Sequence, residues 1–282
     1  MQLRVGAEFL YNSTYPTPAT ILVQPHGENI ATILEESWDT DGPMHQFADL
    51  YGNRTARLVI PVGDSRFRYD ALVEVPDEPD ATDLAAMQAS VDELPDNVLH
   101  FTLASRYCLS DALLGTAWEL FGGSDPGWAR VQAVCDWIHD NIHYGHEHPS
   151  TPLTTALDTF NNREGICRDF AHLGVTFCRA LNIPARYVFG YLADVSIPPP
   201  LPPQDFHAWF EVYLAGRWWP KDARFNTPMV GRVPVARGRD AVDVAMVTSY
   251  GSAQFAGMTV ITDEITSETQ LLSERMAPES QE

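Results

Sequence analysis

Residues 165–192, GICRDFAHLGVTFCRALNIPARYVFGYL, hold one apolar helix with a cysteine at its head that runs directly into a strand. That arrangement limits the folds open to the chain more than any other feature. Ile166, Phe170, Leu173, Gly174, Phe177 and Leu181 recur at i, i+4, i+7, i+8, i+11 and i+15, which is a single buried stripe. Gly165 marks the start and Pro184 enforces a stop, so the spacing predicts a helix from about Ile166 to Leu181, followed by a strand over Arg186–Leu192. Cys167 then lies in the first turn. Unpaired N–H groups and a partial positive charge gather there and favour a thiolate. His172, five residues on, stands ~140° round the helix by the 3.6-residue period, too far to serve as its base, and reads as a core histidine. Cys178 is ~16 Å away along the axis and reads as a packing residue.

A base and its orienter are found downstream, in HAWFEVYLAGRWWPKDARFN. Ala208, Phe210, Val212 and Leu214 alternate with His207, Trp209, Glu211 and Tyr213, the pattern of a half-buried strand. Ala215-Gly216 reads as a two-residue turn, which sets Leu214 opposite Arg217 and Trp209 opposite Asp222. Asp222 then shares a face with His207 as its diagonal neighbour, within reach of one ring nitrogen. A three-residue loop would send Asp222 to the other face. Cys167, His207 and Asp222 therefore form a candidate nucleophile, base and orienter whose assembly hangs on one hairpin register.

The 282 residues exceed one average domain, and an apolar content of 45% is enough for sizeable cores. A net charge of −20 argues against nucleic acid, whose phosphates are bound by Lys and Arg clusters. The same acidity fits a solvated surface and does not select a substrate. Cysteines 108, 135, 167 and 178 form no CxxC pair, which fits free thiols in a reducing compartment. No membrane span and no secretory leader are evident, so cytoplasmic residence is the expectation.

Short runs such as TILVQP, ATILEES, ARLVIPV and YDALVEV, punctuated by Pro, Gly, Asn and Asp, predict an antiparallel β-sandwich over residues 1–84. The acidic, proline-marked stretch VPDEPDATDLAAMQASVDELPDN reads as a linker, and a catalytic unit follows over 95–263. Within it a helix is expected from a Ser110 cap to Phe121, and another from about Pro126 to Ile142 with Trp128, Val131, Val134, Cys135, Ile138 and Ile142 inward. FAGMTVITD at 255–263 reads as the last strand and 264–282 as a loose tail. The proline run Pro198–Pro203 just before His207 reads as a stiff wall of the cleft or a connector. His139, His143, His146 and His148 raise a metal hypothesis. The hydrolase motif needs Glu after the first histidine, however, and Asp140 stands there, so no metal and no cofactor are expected.

Three motifs in order, GICRDFAHL, DFHAWFEVYL and WWPKDARFN, resemble the bacterial transglutaminase-like domain, a relative of papain-type cysteine proteases. DWIHDNIHY and GRDAVDV are similar to its flanks. The resemblance implies an α+β fold: an N-terminal antiparallel β-sandwich, then a papain-like core with the nucleophile helix on an antiparallel sheet. It also implies acyl transfer through a thioester on Cys167, with His207 as base and acid and Asp222 fixing the imidazole. The backbone N–H of Cys167 is the first oxyanion donor. Tyr144 and Trp209 are candidates for the second donor or for substrate contact. Peptide or protein amides are the implied substrates, with hydrolysis by a cysteine protease or amidase favoured. An amine acceptor would make the chain a transglutaminase, and loss of activity would leave a peptide-binding scaffold.

Overall fold

The computed structural model describes residues 1–27, 31–145, 150–197 and 204–265. The proline run 198–203, His146, His148 and the tail beyond 265 lie outside the described residues.

Strand Gln2–Ser13 sends Leu3, Val5, Ala7 and Phe9 into the core, and its partner Gly63–Glu74 sends Phe67, Tyr69, Ala71 and Val73. The two pair antiparallel without a break from Gln2↔Glu74 to Ser13↔Gly63. Their sheet runs Gln254–Glu264, Gln2–Ser13, Gly63–Glu74, Thr32–Thr40. A second sheet runs Val247–Ser249, Thr17–Ile21, Arg54–Ile60, His45–Ala48, and supplies Ala19, Ile21, Ala56, Leu58 and Ile60 to the same core. The sandwich is therefore present, but it is built from both ends of the chain. Strand Gln254–Glu264, which the sequence places at the end of the 95–263 unit, pairs along Gln2–Ser13 from Leu3↔Glu264 to Asn12↔Gln254. That pairing covers a long row of backbone donors and acceptors that would otherwise form a sheet edge.

The core sheet runs Arg217–Lys221, His207–Leu214, Ala185–Leu192, Arg232–Gly238, all antiparallel. The helix Cys167–Ala180 packs across it closely enough that a Cβ on Gly174 would lie 2.5 Å from the Phe210 ring. The hairpin register is the expected one, from Leu214↔Arg217 to Phe210↔Lys221. Its turn has positive φ at both Ala215 (49°) and Gly216 (79°), the twist a two-residue hairpin favours. The strand differs from expectation in burial, because His207, Trp209 and Glu211 are covered as fully as Phe210 and Val212. Paired charges make this tolerable: Glu211 sits between Arg186 and Arg237 at 2.6 and 3.2 Å.

Helices Leu114–Phe121 and Trp128–Asn141 pack behind the nucleophile helix, and all six residues expected to face inward from the second are buried. Both begin later than the sequence suggests. Residues 110–113 form turns instead, with the Ser110 N–H on the Cys108 carbonyl, and Gly127 takes φ of 100° against the linker carbonyl of Ala86.

Candidate active site

Cys167 is the first residue of its helix, after an extended Ile166. Asp169 accepts from the Ile166 N–H at 3.0 Å and pairs with Arg168 at 3.1 Å, satisfying a donor that the helix start leaves open. Gly165 is required beneath it, since a Cβ there would lie 2.7 Å from the Asp169 side chain. Cys167 is partly exposed, whereas Cys108, Cys135 and Cys178 are buried. Burial pushes the Cys108 and Cys135 thiols up to about 12 and the Cys178 thiol far up as well. They stay protonated and inert.

The hairpin brings His207 and Asp222 together as the register requires, with Nε2 to Oδ2 at 2.6 Å. The Cys167 sulfur lines the same cleft as the ring and adds to the field on it. Nε2 being taken, Nδ1 is the nitrogen left for the sulfur. Burial works against a charged His207, but the Asp222 carboxylate and the Cys167 sulfur outweigh it and raise the imidazole above its usual range. Burial likewise opposes a charged Asp222, yet His207, Arg232 and the Phe225 N–H hold its carboxyl well below the usual carboxylate range. Its Oδ1 accepts from the N–H groups of Arg224 at 3.0 Å and Phe225 at 3.3 Å, and Oδ2 also meets Arg232 Nη2 at 3.3 Å. All four contacts fix the plane in which the imidazole is held.

Tyr144 reaches the site through a two-residue parallel bridge, His143–Tyr144 against Glu164–Gly165, which sets it beside the start of the nucleophile helix. The phenol lies beside Cys167 in the same cleft, and the Arg224 guanidinium covers its ring at 3.6 Å. Burial raises the phenol, so it keeps its proton and can donate. Tyr144, Cys167, His207, Arg224, Asp194 and Asp205 all line one cleft of about 350 Å³.

Trp209 does not reach that cleft. Two residues further into the sheet than His207, it is 1% exposed and stacks against that ring at 6.2 Å, with the Arg232 guanidinium 4.7 Å from its own. His139 gives Nδ1 to the Arg224 carbonyl at 2.9 Å, and among the described residues no cluster of three metal-ligating side chains exists. The sequence reading missed Arg232, Asp80 and Arg224. Asp80 meets Arg232 and Arg224 meets Tyr144 across long sequence gaps, and no local pattern marks any of the three.

An α+β core that sets a helix-head thiol against a histidine and an aspartate on one hairpin defines a class of protein. The chain belongs to the transglutaminase-like superfamily, whose core model matches residues 116–223. Over 94% of this chain and 91% of the other, its structure is similar to that of a candidate cysteine protease from Cytophaga hutchinsonii, at 33% identity and a TM-score of 0.84. Among curated proteins it is 32% identical over 145 residues to an uncharacterised protein of Mycobacterium leprae and 36% identical over 107 residues to one of Mycobacterium tuberculosis. Those matches span 49% and 33% of the relatives' own lengths, so the likeness covers half of each or less. No helix among the described residues is long and apolar enough to cross a membrane.

Proposed function

We propose that this chain is a thiol enzyme that opens peptide or isopeptide amides through a thioester on Cys167. The observation that carries the reading is the His207 ring, fixed by Asp222 at 2.6 Å from Nε2 and lining the same cleft as the Cys167 thiol. In the first step Nδ1 takes the thiol proton and Sγ adds to the amide carbonyl carbon. The carbonyl oxygen then accepts from the Cys167 N–H and the Tyr144 phenol, so two donors meet the charge as it forms. Collapse breaks the C–N bond, and the imidazolium gives its proton to the departing amine. Water, deprotonated by the same ring, then attacks the thioester and releases a carboxylic acid and the free thiol.

Hydrolysis is favoured because Cys167 and the neighbouring Asp205 are open to solvent. Transfer to a primary amine has one observation in its favour: the carboxylates Asp194 and Asp205 line the cleft and would attract an ammonium group. Peptide or protein substrates and cytoplasmic residence, which suits four free thiols, belong to the proposal. The test is alkylation by iodoacetamide at pH 6, read by mass spectrometry. Cys167 should be labelled at least tenfold faster in the wild type than in His207→Gln, a comparison that the burial of the other three cysteines does not bias. Equal rates would leave a binding scaffold. Peptide libraries incubated with and without an amine donor then separate water from amine as acceptor.

A further inference from the structure

Arg232 stands at the start of strand Arg232–Gly238, with its side chain 5% exposed. Its Nη2 lies 3.3 Å from Asp222 Oδ2, the same oxygen that holds His207. Its Nε lies 2.8 Å from Oδ2 of Asp80, which belongs to the linker after the first sheet. Asp80 is itself clamped on both sides: its N–H donates to the Met229 carbonyl at 2.9 Å, and its Oδ2 accepts from the Met229 N–H at 3.0 Å. The Arg232 Nη1 is buried with no partner among the described residues.

A buried guanidinium with one nitrogen unpaired is an expensive way to fill space, and apolar side chains generally stabilise such positions better. Its placement therefore points to use. Asp222 is already held by two backbone N–H groups and by His207, so the Arg232 contact does more than locate it. What it adds is charge. A cation on Oδ2 draws carboxylate charge away from the imidazolium, and Asp80 on the far side draws the cation back.

We propose that Arg232 is a positioning residue for Asp222, and that Asp80 of the linker sets through it how firmly His207 holds its proton. The proposal rests on the thiol-enzyme reading above for its importance, though not for its measurement. The other titratable or charged groups around His207 are Cys167 on the helix, Tyr144, Asp194 and Asp205 lining the cleft, and Arg224 after Asp222. None of them lies on the Asp80–Arg232 arm. The linker, between sandwich and core, thereby becomes part of the proton balance at the site.

The test is an NMR titration of the His207 ring in the full chain, assigned against His207→Gln. Arg232→Met should raise the midpoint by about one pH unit, the effect of removing a like charge a few ångströms away. Arg232→Lys should keep it within a few tenths. Asp80→Asn, which removes the charge facing Arg232 while an amide oxygen can still accept from Met229 and Arg232, should lower the midpoint by roughly half a pH unit. A merely structural Asp80 predicts the reverse, since a loosened Arg232 would leave Asp222 to His207 alone. An Asp80→Asn midpoint that is unchanged or higher overturns the proposal, even if Arg232→Met fails to fold. Iodoacetamide labelling of the wild type against His207→Gln reads the thiol-enzyme proposal independently, so the two can fail separately.

Discussion

Helix Cys167–Ala180 has one cysteine at its head, facing His207 across the cleft, and a second cysteine and a histidine in its body, and the same residue types meet opposite fates there. At the N-terminal end Cys167 is open to the cleft and meets a histidine whose carboxylate partner raises its basicity. In the body of the helix Cys178 is 0% exposed with its thiol pushed far up, and His172 is 0% exposed and held neutral, driven well below its usual range by burial and then by Arg168 and Arg179. His172 lies between the rings of Tyr107 and Tyr187 at 5.1 and 4.8 Å, and its Nε2 accepts the Ala241 N–H at 3.2 Å. A thiol and an imidazole become reactive here only where solvent access and an ionic partner coincide; the residue types alone decide nothing.

The sharpest contrast is between the two cysteines. Cys167→Ala should remove turnover by ~10⁶-fold, the scale expected when a nucleophile is lost. Its unfolding free energy should change little. Cys178→Ala should leave turnover within twofold and cost about 1 kcal/mol of stability for the cavity left in a packed helix face. Activity assays paired with urea unfolding check both, and a catalytic loss from Cys178→Ala would break the division between the ends.

Asp222→Asn should follow at ~10³- to 10⁴-fold. The new amide N–H would donate to Nε2, forcing the ring proton onto Nδ1, where it blocks acceptance of the thiol proton. The His207 midpoint should fall in the same variant, and retention of full activity would show that the carboxylate does not orient the ring. Tyr144→Phe comes next, with kcat reduced by ~10²-fold and KM nearly constant, because the phenol acts on the charged intermediate. A change confined to KM would make Tyr144 a substrate contact.

How far the sequence revealed this arrangement depended on the range of the interaction. The helix was legible because its stripe is periodic, and the His207–Asp222 pairing because Ala215-Gly216 fixes a local register. Tyr144 was found through its place before the helix, yet the parallel bridge that delivers it is only two residues long and leaves no pattern. Trp209 lies outside the Cys167 cleft, since alternation tells which residues share a face but not what covers that face, and here Arg232 covers it. The sandwich was legible as short strands. Its closing strands were not, since pairing Leu3 with Glu264 is a contact between opposite ends of the chain that periodicity cannot register.

The smallest effect separates the two histidines through stability. His207 has a raised pKa in the folded chain, so its contribution is fully present below the unfolded value of about 6.5 and is lost as pH rises through the folded one. His172 has a lowered pKa and the opposite sign: its contribution is present above about 6.5, and each pH unit below that costs about 1.4 kcal/mol until the folded value is reached. Urea unfolding from pH 5 to 8 should therefore show an acid-side loss that disappears in His172→Gln, whose amide oxygen can still take the Ala241 N–H. An alkaline-side decline should disappear in His207→Gln. If both variants flatten the same limb, the two ends of the helix share one electrostatic environment and the contrast drawn between them fails.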